Sequence, residues 1–286
     1  MKVAVIGSTG QLAQDLLRVF GDEATGLSHQ QLEVTDGVGV AETLYALRPD
    51  WVVNTAAFHR VDDCERNPEM SFSVNAVGAR NVARVAQTLS AGVVFFSTDY
   101  VFGADVRKRG HPYVETDRPG PLNVYGVSKW AGEQLVMQAN PRHLIVRSTG
   151  LYGTATSRKG WTFPELMLNK AKTEGVLRVV TDQVLTPTNT ADLAAAVKKL
   201  IDRDASGLFH VTNGGECSWF EFAQKTLELA GQQAALHPIE TSQLPGGPCR
   251  PAYSALASNR LAVTGVDPLP PWQDALATYL TAKGFI

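Results

Sequence analysis

Short apolar runs alternate along this chain with longer stretches in which apolar residues recur every three or four positions. Residues 2–6, 24–28, 51–55, 92–96 and 143–148 read as strands, several of them apolar throughout, as strands buried on both faces are. Between them, residues 11–20, 40–47, 70–89 and 123–137 carry helical spacing. Strand and helix in strict turn predict an α/β fold of Rossmann type, a doubly wound parallel sheet with its site at the strands' carboxyl ends. Beyond Thr149 the rhythm loosens. Helices are expected over 161–172, 188–201, 218–230 and 272–282, short strands over 177–180 and 208–212, and a proline-rich loop over 243–253. This divides the chain into a first domain of residues 1–150, to which 188–212 return, and a smaller C-terminal lobe in 151–286.

Composition narrows the classes of partner. Lys and Arg number 26 against 28 Asp and Glu, a net charge of −2, so neither nucleic acid nor an anionic membrane surface is expected. No apolar run approaches the ~20 residues of a membrane span. The opening strand leaves no room for a signal peptide. Cys64, Cys217 and Cys249 form neither a metal pattern nor a disulfide framework, which predicts reduced thiols in a cytoplasmic protein. The six histidines are scattered, and no metal is assigned.

Chemistry enters with the motifs. The first strand ends in Gly7-Ser-Thr-Gly10-Gln-Leu-Ala13 and leads into a helix, the context in which glycines let backbone approach a pyrophosphate. A plain strand-to-helix turn is the alternative. At the tip of the second strand stand Ser28, His29 and Gln30, with neither the carboxylate of an NAD site nor an arginine. NADH and NADPH both stay open, leaning to NADPH because nothing repels a 2′-phosphate. Glu33 and Val34 suit an adenine edge, though Glu33 reads equally as a solvated loop acid. Ala56, Ala57 and Phe58 leave room for a flat ligand, and Asn75 is either a surface amide or a hydrogen-bond partner of neighbouring backbone. Ser97, Thr98, Asp99 and Tyr100 end a buried strand as a site or as a simple turn.

Tyr125 and Lys129 lie four apart on a predicted helix and so share a face. A free phenol titrates near ~10, and an adjacent cation lowers that value. The expected product is a general acid tuned toward working pH; the plain alternative is an exposed side-chain pair.

Gly7-x-x-Gly10-x-x-Ala13, Asn54-Thr-Ala-Ala57, Ser97-Thr98-Asp99 and Tyr125-x-x-x-Lys129 together resemble the extended short-chain dehydrogenase/reductase superfamily. Gly10-Gln-Leu, Ser97-Thr-Asp-Tyr-Val-Phe102, Pro121-Leu-Asn-Val-Tyr-Gly126, Asp182-Gln183 with Pro187-Thr188, and Arg250-Pro251 look like the dTDP-4-dehydrorhamnose reductase family, which makes dTDP-L-rhamnose. The resemblance implies that Tyr125 protonates the 4-keto oxygen, that Lys129 holds the nicotinamide ribose, and that Thr98 hydrogen-bonds the same oxygen. It implies NADPH or NADH held by Gly7, Thr9, Gly10, Gln11 and Leu12, by Glu33 and Val34, by Ala56, Ala57, Phe58 and Asn75, and by Ser97, Tyr125 and Lys129. For a dTDP-sugar it implies Thr98, Asp99, Tyr100, Tyr125 and Arg250, with Arg250 on the diphosphate or else a surface arginine.

Superfamily dehydratases carry Glu where this chain has Tyr100, which favours ketone reduction over loss of water. Gly150 stands where many family members have Trp, so an aromatic face for the sugar is expected to be missing, and Glu33 replaces a more usual Asp. Two other functions fit: a 4-ketoreductase or epimerase acting on another nucleotide sugar, and a non-catalytic nucleotide-binding regulatory subunit. Intact Thr98, Tyr125 and Lys129 argue against the subunit. The oligomeric state is open, a homodimer included.

Overall fold

Six parallel strands form the central layer: β1 (Val3–Ile6), β2 (Ala24–Leu27), β3 (Trp51–Asn54), β4 (Gly92–Thr98), β5 (His143–Ser148) and β6 (Gly207–His210). Their spatial order in this computed structural model, which describes residues 1–105, 110–155 and 160–286, is β2-β1-β3-β4-β5-β6. From β1 the chain goes outward to β2 and then crosses to β3 on the other side, so a switch point opens between β1 and β3.

Alternation along each strand feeds two cores. Val3 and Val5 pack with Leu16, Phe20, Leu193 and Val197 under the helices Gln11–Phe20 and Thr190–Asp202. Ala4 and Ile6 face the opposite way, onto Val40, Leu44, Val82 and Ala86. A strand's side-chain period of two produces this division.

The helix expected over 70–89 is not regular. It begins as Pro68–Phe72, widens into a π turn over Ser73–Gly78 and resumes as Ala79–Thr88. Close packing accompanies the bulge: a Cβ on Gly132, in the neighbouring helix Val124–Ala139, would lie 2.2 Å from the carbonyl oxygen of Asn75. Such a bulge re-aims the side chains it carries, and here it carries Asn75.

The C-terminal elements have their own core of Tyr152, Met167, Phe222, Trp272 and Tyr279. Helices Phe163–Glu174 and Trp219–Leu229 both begin with capping boxes, Thr162 with Glu165 and Ser218 with Glu221. A strand at Ala235–Ile239 pairs in parallel with Val176–Val180. The sequence reading missed the first of these because it contains Pro238, which fits only an edge strand. Among the described residues, no helix is long and apolar enough to cross a membrane.

Candidate active site

Gly7 turns the chain out of β1 at φ +80, and a Cβ there would meet the Thr55 hydroxyl oxygen at 2.7 Å. Only glycine fits. Gly10 then forms the N-cap of helix Gln11–Phe20, and neither a side-chain cap nor a first-turn acid occupies that helix's N–H groups. An uncapped N-terminus at a switch point is suited to a pyrophosphate.

It opens on a cavity of about 720 Å³, a volume that admits a dinucleotide. Gly7, Thr9, Gly10, Gln11, Glu33, Val34, Ala56, Ala57 and Phe58 line it, as expected from the sequence. Glu33 nonetheless turns its carboxylate back, accepting from Thr35 N and Oγ1 at 3.0 Å each and pairing with His29 Nδ1 at 3.0 Å. The Gln11 amide donates to Gly153 O and Ala155 O, both at 2.9 Å, and so ties the glycine loop to the C-terminal lobe.

Of the residues expected to touch the dinucleotide, Leu12, Asn75, Ser97, Tyr125 and Lys129 do not line this cavity. Leu12 is packed into the core beneath β1. Ser97 donates its hydroxyl to Glu133 behind the strand tip. Asn75, fully buried in the π turn, accepts from Phe58 N at 2.9 Å and donates to Phe58 O at 2.8 Å and Ser128 Oγ at 3.0 Å. Its amide is spent on protein groups, and it holds the Ala56–Phe58 wall against the helix that carries Tyr125.

That helix starts where two acceptors fix it. Asn123 Oδ1 accepts from Gly126 N at 2.9 Å and Glu65 Oε1 from Val124 N at 2.8 Å. Tyr125 is thereby placed on the first turn, close enough to the Thr98 hydroxyl for that group to pull its pKa down. Thr98 Oγ1 in turn donates to Asp99 Oδ1 at 3.0 Å and accepts from Tyr100 N at 3.1 Å. Thr98, Tyr125 and Lys129 lie beside the large cavity rather than along its wall. Thr98 ends β4, between β3 and β5, whose following segments Thr55–Phe58 and Gly150–Leu151 both line the cavity.

Asp99 departs from expectation as a substrate contact. Only 4% exposed, it accepts from Ser254 Oγ at 2.6 Å as well as from Thr98. Burial pushes its carboxyl up to about 6, against the pull of these hydroxyls. Tyr100 and Arg250 do reach the site: the Tyr100 ring meets Tyr125 edge-on at 6.0 Å, and Arg250 Nη1 lies 3.5 Å from Tyr100 Oη.

The expected lowering of the phenol by Lys129 is absent. Burial dominates and raises Tyr125, and the strongest opposing pull comes from Thr98 rather than Lys129. Lys129 is itself 2% exposed, with Nζ 4.0 Å from the centroid of the Phe95 ring, and burial brings it down to about 7. Glu133, one turn further on, pulls the other way, yet its carboxylate is gripped by Arg147 Nε at 2.8 Å and Nη2 at 2.7 Å. The phenol is therefore neutral, and the amine sits near the midpoint of its titration at neutral pH.

Gly150 offers no ring of its own, but aromatic side chains from other segments reach the cavity. Trp161, Phe163 and Trp219 line the same cavity as Gly150, where a Cβ would lie 2.7 Å from Leu185 Cδ1. These aromatics were missed because they come from helix-start segments of the C-terminal lobe, with no local motif to flag them. Asp62 and Ser254, which bind Arg250 and Asp99, were missed because no local motif marks either of them.

Comparison with known proteins identifies the family. The sequence profile described as RmlD substrate binding domain matches residues 1–284. The spore coat polysaccharide biosynthesis protein SpsK of Bacillus subtilis (strain 168) is 38% identical over 285 residues, 99% of this chain and 98% of its own length. A dTDP-4-keto-6-deoxy-D-glucose reductase of Streptomyces niveus is 35% identical over 277 residues, 95% of this chain and 94% of its own. The crystal structure of dTDP-4-dehydrorhamnose reductase from Bacillus anthracis in complex with NADP superposes with a TM-score of 0.93 at 35% identity, covering 99% of this chain and 100% of that one. A profile match along almost the whole length, with relatives above 30% identity over the same span, means that this chain belongs to the RmlD substrate binding domain family.

Proposed function

We infer that this protein is an oxidoreductase that reduces the 4-keto group of dTDP-4-dehydro-L-rhamnose to give dTDP-L-rhamnose, with NADPH or NADH as cofactor. The observation that carries this reading is the placing of Thr98 and Tyr125 together at the end of β4, between two segments that line a cavity onto which an uncapped helix N-terminus also opens. Gly7, Thr9, Gly10 and the first N–H groups of helix Gln11–Phe20 hold the dinucleotide's diphosphate, Ala56–Phe58 its flat ring, and Lys129 its ribose hydroxyls. When bound, the dinucleotide supplies hydride.

Tyr125 donates the proton to the ketone oxygen. Because burial keeps the phenol neutral, that proton is present at working pH. Thr98, whose single hydroxyl proton otherwise goes to the Asp99 carboxylate, turns it to the same oxygen when the ketone binds. Tyr100 packs beside the sugar where a dehydratase needs a carboxylate, and Arg250 takes the nucleotide diphosphate. On this reading residues 1–150 with 188–212 hold the dinucleotide and 151–286 the sugar nucleotide. The free thiols of Cys64, Cys217 and Cys249 suit a reducing cytoplasm.

The name of the Streptomyces niveus relative favours one second reading, a 4-ketoreductase for another dTDP-hexose. Consumption of NADPH and NADH with dTDP-4-dehydrorhamnose, followed by identification of the product sugar, separates the two. Cofactor oxidation that does not depend on added keto-sugar overturns both.

A further inference from the structure

After the turn Thr241–Gln243 the chain runs from the C-terminal lobe to the start of helix Val124–Ala139, where Asn123 Nδ2 donates to Cys249 O at 2.9 Å. Arg250 follows at once and spreads its guanidinium between two groups of the first domain. Nη1 lies 3.5 Å from Tyr100 Oη, and Nη2 lies 3.3 Å from Asp62 Oδ2 in helix Val61–Arg66. Under the 246–249 stretch is a second cavity of about 450 Å³, also lined by Asp62, Glu65, Arg66 and Leu122. The other charges of that wall are engaged elsewhere: Glu65 accepts from Val124 N, and Arg66 pairs with Asp63 at 3.3 Å.

A phosphate gripped edge-on by a guanidinium uses its Nη donors. Asp62 already holds one of them. The Asp62 and Arg250 side chains are 51% and 34% exposed, and a pair this open adds little to fold stability. It is readily exchanged for an acceptor of higher charge.

We propose that Asp62 sets the site's affinity for the nucleotide sugar by competing with the substrate diphosphate for Arg250. The inference rests on the diphosphate role given to Arg250 above. Asp62 thus acts as a stand-in anion: it holds Arg250 beside Tyr100 before the nucleotide binds and takes it back as the nucleotide leaves. Binding is opposed unless the ligand places an anionic group at that guanidinium.

Calorimetric titration of the NADP-loaded protein with dTDP tests this in a mutant cycle. Asp62→Asn is expected to bind dTDP about threefold tighter, the scale of losing one exposed ion pair. Arg250→Ala is expected to bind more weakly, and adding Asp62→Asn to Arg250→Ala should restore nothing. Unchanged or weaker binding by Asp62→Asn overturns the competition, since a carboxylate that merely orients Arg250 gives that result. Tightening that persists in the Arg250→Ala background overturns it too, by reducing Asp62 to plain charge repulsion. If Arg250→Ala binds dTDP as well as the wild type, the diphosphate role of Arg250 fails first and the competition with it.

Discussion

Ser254 donates its hydroxyl to the buried carboxylate of Asp99 at 2.6 Å, joining residues 155 apart in sequence. Through Asp99 the late segment of the chain reaches Thr98, and through Thr98 it reaches Tyr125. One hydroxyl in the C-terminal part thus helps to orient the Thr98 side chain.

This chain of hydrogen bonds titrates. Asp99, raised to about 6, accepts a proton as pH falls through that value and then no longer serves as a full acceptor for Thr98. An acid limb in kcat/KM near pH 6 is expected, because kcat/KM reports the free enzyme. Ser254→Ala removes a bond to the charged form and should move the limb to higher pH. Asp99→Asn should abolish it and lower kcat about tenfold, the loss of one charged hydrogen-bond partner. A limb that stays in place in both variants contradicts the coupling.

Tyr125→Phe removes a proton donor and leaves the edge-on packing with Tyr100. Loss of a general acid lowers kcat by about 10²–10⁴-fold. NADP affinity, followed by fluorescence or calorimetry, should stay within about twofold, as expected of a group that acts on the ketone alone.

Lys129 makes the ligand-free fold sensitive to pH. Its folded value of about 7 lies below the ordinary 10.5, so between the two the unfolded chain binds more protons and stability rises with pH. Below about 7 both states are protonated, and the burial penalty is complete. Lys129→Met should therefore be more stable than the wild type at pH 6, by on the order of 2 kcal/mol from relief of a buried charge, with the gap closing toward pH 10. Turnover is lost in the same variant. Equal urea midpoints at pH 6 contradict the assignment.

The pair of Glu133 and Arg147, both almost fully buried, pins the helix of Tyr125 to β4 and β5. Arg147→Met strands a carboxylate and should cost about 3–5 kcal/mol. Combining it with Glu133→Leu should recover most of that loss, since a buried pair replaced by apolar groups is often neutral. Chemical denaturation of the two single variants and the double closes the cycle.

The sequence by itself determined the layered α/β fold, the glycine turn, and the shared helical face of Tyr125 and Lys129. Each of these is local: strands repeat every two residues and helices every 3.6, and a turn needs its glycine in place. Tertiary structure decided what each side chain faces. Leu12, Asn75 and Ser97 belong to sequence motifs, yet the core, the Phe58 backbone and Glu133 claim their side chains. Asp62 meets Arg250 from 188 residues away, a pairing no local pattern encodes. The direction of each titration also lay outside the sequence, because desolvation depends on everything packed around a group. Spacing placed an amine beside a phenol, and burial determined that the phenol keeps its proton while the amine gives it up readily.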